Sequence, residues 1–232
     1  SVFTCTTRRR GRRGVSGLGL LTRTLRRASR VCARCRVAHS GAVPTMPAAY
    51  PAARAYGAGD AEPSPLRIVY VCTSNTCRSP MAAAFAKAHA QKAHSGRALR
   101  IESRGLTDHY SAWGSPADAR AAKVLEAQYG LRSDGHASTL LTRRDVETAH
   151  VFYMAQQHVR DVSAVVGKDA VDAAIADGRF RTASLDGHDV PDPYYGDEAY
   201  YSQICDLLRS MVAETLDAHL ASVDADRRGP PR

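Results

Sequence analysis

L-R-I-V-Y-V-C-T-S-N-T-C-R-S-P-M-A-A-A, residues Leu66–Ala84, is the stretch from which the fold and the chemistry are both read. Ile68, Val69 and Val71 are apolar and β-branched, the composition of a buried strand. Ser79-Pro80 before an alanine-rich run predicts a helix start with proline at its first position. A short loop from a buried strand to a helix N-terminus leaves backbone N–H groups unpaired and pointing inward. The helix dipole adds partial positive charge there, so the loop is a cradle for an anion. Arg78 offers a planar fork of donors that matches two phosphate oxygens. Cys72 is placed under the bound anion, where the N–H groups, the dipole and Arg78 favour an anionic sulfur, which makes it a candidate nucleophile. The Ser79 hydroxyl can donate to that sulfur. Taken alone, Cys72 would read as a small apolar residue closing a strand; Arg78, Ser79 and Pro80 at this spacing argue against that.

Val190–Gly196, V-P-D-P-Y-Y-G, carries the second chemical element. Two prolines stiffen the backbone on either side of Asp192. Cleaving a phosphate ester needs an acid to protonate the departing oxygen, and the resulting carboxylate can then activate water. Without the cysteine loop, the same letters would describe a proline-braced turn with Asp as turn former. Tyr194 and Tyr195 follow directly and supply rings for a slot wall that grips an aryl group, although either could instead pack on the last helix.

At these residues the chain resembles the low-molecular-weight protein tyrosine phosphatases, whose signature is C-x5-R-S-P after a first strand. The resemblance runs from about Leu66 to about Ala221. It implies hydrolysis of phosphotyrosine through a cysteinyl-phosphate on Cys72, with Arg78 binding the dianion and Asp192 as general acid and base, using neither metal nor cofactor. It further implies that Thr73, Ser74, Asn75, Thr76 and Cys77 form the phosphate loop, with Asn75 holding its strained shape and Cys77 as a second thiol near the nucleophile. Ser103 and His136 stand where the family has a serine and a histidine that support the loop Asn and Ser79 through hydrogen bonds. Tyr110 and Trp113, after the second strand, are expected on the slot wall opposite Tyr194 and Tyr195, in a loop longer than the family's usual one. Ser74 replaces the Gly of many members, which costs something if that position needs positive φ. After the third strand, Met154-Ala155-Gln156-Gln157-His158 departs from the family's frequent M-D-x-x-N, leaving the hydrogen bonding there open. Thr76 is the residue carried by arginine-directed members, so protein-arginine phosphatase activity is the alternative. Arsenate reduction on the same fold is disfavoured, because the next cysteine after Cys77 is Cys205.

The chain has 232 residues, 44% hydrophobic and 24% charged, which suits one globular domain with an appendage. Its net charge of +9 is unevenly placed: residues 1–59 hold twelve arginines and no acid, so the remainder is −3. Residues 1–65 are expected to be a disordered basic extension and linker, 66–224 the phosphatase domain, and 225–232 a disordered tail. Arg8–Arg13 (R-R-R-G-R-R) and the arginine-rich, acid-free composition fit a mitochondrial transit peptide, a basic arm for phosphates, or upstream sequence before Met46. No specific nucleic-acid reader and no membrane span is expected, since the apolar patch Leu18–Leu21 is short. Cys32-x-x-Cys35 lacks the second pair or histidines of a zinc site. A cysteine enzyme without a disulfide framework belongs in a reducing compartment, so a cytoplasmic monomer acting on phosphorylated proteins or aryl phosphates is expected.

Around the loop, the pattern predicts a helix over Met81–His94 and a second strand over Ala98–Ser103. A helix from Ser115-Pro116-Ala117-Asp118 through Glu126 follows, stopped at Gly130. A third strand is read at His150–Met154, a weaker fourth at Phe180–Leu185, and a long amphipathic helix over Tyr201–Val223. Strands alternating with helices predict an α/β fold: a single doubly wound, flavodoxin-like domain with a four-stranded parallel sheet and helices on both faces. The cysteine loop then sits at the carboxyl end of the first strand, where such sheets bind ligands.

Overall fold

The computed structural model describes residues 64–184 and 186–228. The expected basic extension and most of the linker, Leu185 of the expected fourth strand, and residues 229–232 lie outside the described residues. Four parallel strands form one sheet in the order β2-β1-β3-β4: β1 (Leu66–Val71), β2 (Leu99–Arg104), β3 (His150–Tyr153) and β4 (Phe180–Thr182). The chain moves outward to β2 on one side of β1 and to β3 on the other. The end of β1 is therefore the topological switch point, where a crevice opens.

The two-residue period of β1 divides the core. Ile68 and Tyr70 face a cluster built with Met81, Phe85, Leu125, Leu208 and Leu216, while Val69 and Val71 face Val146, Val151, Val162, Val171 and Phe180. Each large side chain taken out of water contributes about 1.5–3 kcal/mol. The first layer is supplied by α1 (Arg78–Ala93), α2 (Ala119–Tyr129) and α6 (Glu198–Arg228); the second by α3 (Arg143–Thr148), α4 (Gln157–Val166) and α5 (Lys168–Ala176). Helices on both faces of a parallel sheet is the expected fold.

Several boundaries differ from the sequence reading. α1 begins at Arg78 with Cys77 as its N-cap, so Pro80 is the third helical residue and not the first. Proline is tolerated there because the N–H it lacks is still one of the unpaired donors of the first turn. Asp118 caps α2, its carboxylate accepting from Arg120 N at 2.9 Å, and Gly130 ends the helix at φ 64°. α6 runs beyond both expected ends. Arg97 holds the carboxylate of Asp224 with both guanidinium nitrogens, at 2.7 and 2.8 Å, so residues 225–228, expected as tail, are helical. The sequence reading had no α3, α4 or α5. Their signals are present: a Thr142/Asp145 capping box, and Val162, Val166, Ala170, Val171 and Ala174 at helical spacings across a break at Gly167 (φ 96°). Among the described residues, no helix is long and apolar enough to cross a membrane.

Three histidines sit in this core. Burial pushes His158 down to about 4; it does the same to His219, which also faces His150 and Arg181, and to His150, which faces Arg179, Arg181 and Arg227. A folded-state value below the unfolded 6.5 means that the unfolded chain binds the proton first. Stability is therefore full above pH 6.5 and falls as the pH drops from there towards 4. Between pH 7 and pH 5, each of the two fully buried rings, His158 and His219, is expected to cost about 2 kcal/mol. Urea unfolding at the two pH values measures this, and His219→Gln is expected to reduce the difference by about half, leaving the part due to His158.

Candidate active site

The loop from Cys72 to Cys77 joins the end of β1 to the start of α1. It is buried throughout except for Thr73, which is half-buried. Among the described residues, Asn75 is the one non-glycine with positive φ, at 58°. Asn is among the few side chains that accept this conformation readily. The left-handed position is thus Asn75, and Ser74 carries no such cost.

Every polar group of the Asn75 side chain is engaged. Its Nδ2 donates to Ser79 Oγ at 3.0 Å and to Ser103 Oγ at 2.9 Å, while its Oδ1 accepts from Thr139 N at 2.9 Å. His136 Nε2 donates to the Asn75 carbonyl at 2.7 Å. Ser103, in the last turns of β2 pairing, and His136 are therefore both brought to the loop as the resemblance implies. Burial holds His136 below its ordinary pKa despite the carbonyl it faces.

Gly105 lies against the opposite side of the loop. A Cβ there would come within 2.9 Å of the Ser74 carbonyl carbon and 3.0 Å of Asn75 N. Glycine is what lets the backbone after β2 approach this closely, and Leu106 N then donates to Thr73 O at 2.7 Å.

Cys72 Sγ lies 3.0 Å from Ser79 Oγ. Ser79 Oγ already accepts from Asn75, so its own hydrogen is free to turn to the sulfur or to Arg104 O, 3.3 Å away. Cys77 is a different thiol. It contacts Tyr201 Oη at 3.2 Å, and burial pushes it up to about 11, so it stays protonated.

Arg78 is 3% exposed. Its Nη1 donates to Val190 O at 3.2 Å, and its Nη2 donates to Thr73 Oγ1 at 3.1 Å and pairs with Asp192 Oδ2. Its Nε is buried without a protein partner among the described residues. A buried donor left over on a guanidinium aimed into an anion cradle fits an oxyanion ligand. Behind it, Thr73 Oγ1 also meets His158 Nε2 at 3.2 Å. His158, fully buried and neutral at working pH, is the group found at the strand end where the sequence left the hydrogen bonding open.

Asp192 reaches the site because Val190 N donates to Met154 O at 2.7 Å, fixing the V-P-D-P segment to the end of β3. Tyr194 N donates to Asp192 Oδ1 at 3.2 Å, which orients the carboxylate. On the far side, Arg120 anchors the same segment by donating to Gly196 O at 2.7 Å, while holding Asp118 and lying 4.7 Å over the Tyr201 ring. Burial works to raise Asp118, but the Arg120 hydrogen bonds outweigh it and hold the carboxyl low. This brace was not read from the sequence. Its signals, an Asp N-cap and an arginine two residues on, are those of any helix start.

Cys72, Thr73, Ser74, Cys77, Arg78, Asp192, Tyr110, Tyr194 and Tyr195 line one narrow pocket of about 30 Å³. Tyr110 and Tyr194 meet edge to face at 5.3 Å and Tyr194 and Tyr195 at 5.0 Å, with Tyr195 86% exposed at the rim. Trp113, expected on this wall, is not among the lining residues. The loop turns back at Asp108–Ser111 and again at Ala112–Ser115, and Gly114 N donates to Ser138 O, which ties the tryptophan's segment to residue 138.

A pocket that pairs a buried thiol and guanidinium at a strand end with a facing carboxylate marks a phosphate-ester hydrolase built on an α/β sheet. The sequence pattern described as low molecular weight phosphotyrosine protein phosphatase matches residues 67–228, and the chain belongs to that family. It is 31% identical over 172 residues to the low molecular weight protein-tyrosine phosphatase A of Mycobacterium tuberculosis, covering 72% of this chain and 98% of the relative. It is 33% identical over 149 residues to a protein-arginine-phosphatase of Geobacillus stearothermophilus, covering 64% and 92% respectively. The crystal structure of the low molecular weight protein tyrosine phosphatase from T. tengcongensis covers 66% of this chain and 99% of its own, at 28% identity and a TM-score of 0.56.

Proposed function

We propose that the pocket hydrolyses phosphotyrosine in proteins in two steps. The dianion sits on the loop amides and on Arg78, which also faces the equatorial oxygens as charge spreads over them. The Cys72 sulfur attacks phosphorus; the bond to the tyrosyl oxygen breaks, and Asp192 gives that oxygen its proton. Water then attacks the cysteinyl-phosphate, Asp192 takes a proton from it, and the sulfur leaves towards the Ser79 hydroxyl. The carrying observation is that Cys72, Arg78 and Asp192 line the same narrow pocket. The aromatic rim of Tyr110, Tyr194 and Tyr195 favours an aryl leaving group by stacking and burial.

Thr76 and the Geobacillus relative keep phosphoarginine as the second reading. Against it, the Thr76 hydroxyl is 3.0 Å from Ser74 Oγ and the side chain does not line the pocket. Steady-state turnover of phosphotyrosine and phosphoarginine peptides, on the parent and on Thr76→Ile, separates the two. The parent is expected to prefer phosphotyrosine, with the ratio shifting less than about tenfold in the variant, below the roughly 10–200-fold that one methylene changed inside a specificity pocket produces, because Thr76 does not line the pocket. A parent that prefers phosphoarginine, or a larger shift, supports the second reading. Arsenate reduction is opposed by Cys205, which is fully buried against Met81 and whose thiol burial pushes up to about 12, unsuited to resolving an oxidised sulfur. A reducing cytoplasm and a monomeric state are the setting proposed for this chemistry, and the substrates are phosphorylated proteins.

A further inference from the structure

Away from the pocket, at the other end of α1, three metal-type donors converge. His89 on the last turns of α1 and His94, its C-cap, both direct Nε2 at a single oxygen of Asp217 on α6, at 2.7 and 2.6 Å. The two rings lie 5.6 Å apart and steeply inclined, at 71°. The histidines are about one-fifth exposed and Asp217 one-half, so the cluster is shielded on the protein side and open to solvent on the other. The geometry points to a divalent transition-metal site, with zinc as the occupant, formed by His89 Nε2, His94 Nε2 and an oxygen of Asp217.

Two imidazoles and one carboxylate are the donor set of zinc, and the open side leaves the fourth tetrahedral position to water. Imidazole donors select against calcium and magnesium, which take oxygen ligands. Zinc holds such donors at about 2.0–2.2 Å, so each nitrogen must part from the Asp217 oxygen by less than about 1 Å from its present hydrogen-bonded spacing. Asp217 can do this by rotating, since half of it is in solvent. His94 can do it because it stands past the helical run, where the backbone is no longer α-helical (φ −130°, ψ 32°). On binding, a neutral ring moves its proton from Nε2 to Nδ1 with no net loss, a protonated ring gives its Nε2 proton to solvent, and the metal-bound imidazole is neutral in both cases. The metal then stitches the end of α1 to α6, the helix pair that encloses the core layer under the active loop. Its role is structural, and it is independent of the phosphatase reaction.

The test is titration of the full chain with zinc and with cobalt, comparing the parent with His89→Gln, His94→Gln and Asp217→Asn. Glutamine and asparagine keep hydrogen-bonding groups in place, so the helices stay paired. The parent is expected to bind one more equivalent of zinc than each variant, and to gain melting temperature on zinc addition where the variants do not. Its cobalt spectrum should show visible bands of a low-coordinate nitrogen–oxygen site without thiolate charge transfer, retained in Cys72→Ser. Hydrolysis of an aryl phosphate by His89→Gln should match the parent. Equal zinc stoichiometry in parent and variants, or a cobalt spectrum showing thiolate ligation alone, overturns the proposal.

Discussion

Cys72→Ser is expected to lower turnover of an aryl phosphate by about four orders of magnitude or more, while leaving binding of inorganic phosphate in place. The substitution removes a polarizable sulfur and substitutes a hydroxyl that needs a base to become a nucleophile. The hydrogen-bond partner of the Cys72 sulfur is Ser79 Oγ, itself a hydroxyl that already accepts from Asn75, so no base is hydrogen-bonded to the side chain at position 72. The loop amides and Arg78 are untouched, because neither depends on the sulfur for its position. Initial rates on an aryl phosphate, alongside phosphate binding by calorimetry, check both halves. A variant that hydrolyses at the parent's rate would take the nucleophile away from Cys72.

Asp192→Ala is expected to act differently on rate and on affinity. Losing the proton donor should cost about 10²–10⁴ in kcat on phosphotyrosine, and less on a nitrophenyl ester whose leaving oxygen needs little protonation. Affinity should move the other way. Asp192 pairs with the same Arg78 nitrogen that meets Thr73, so the carboxylate competes with an incoming dianion for that guanidinium. Removing it is expected to tighten vanadate binding. Equal losses on both substrates, or weaker vanadate binding, would show that Asp192 holds the pocket together and does not move protons.

The strand–loop–helix unit was legible because its residues act locally. The run from Ile68 to Val71 specifies a buried strand, and the loop residues carry their own chemistry, so Cys72, Arg78, Ser79 and Asn75 fall where the spacing puts them. Asp192 was legible for the same reason, with a proline on each side. What escaped the sequence depends on contacts between distant segments. His158 becomes part of the site only because β3 lies beside β1; Gly105 matters only because the loop packs on it; Arg120 and Tyr201 act through Gly196 and Cys77. Trp113 was misplaced because a loop that turns back twice gives no periodic pattern to follow. α4 and α5 were missed although their valines and alanines repeat at helical spacing, since Gly167 cuts the pattern into two short pieces.

The nucleophile itself can be caught. Asp192→Ala, mixed with nitrophenyl phosphate radiolabelled at phosphorus, whose leaving oxygen needs little protonation, and quenched during turnover, should carry label on the peptide that contains Cys72, because the missing base slows release of the phosphate from the sulfur. The label should be absent from the same variant bearing Cys72→Ser. Label on another residue, or full single-turnover release of phosphate with no labelled protein at any time, would contradict a cysteinyl-phosphate on Cys72.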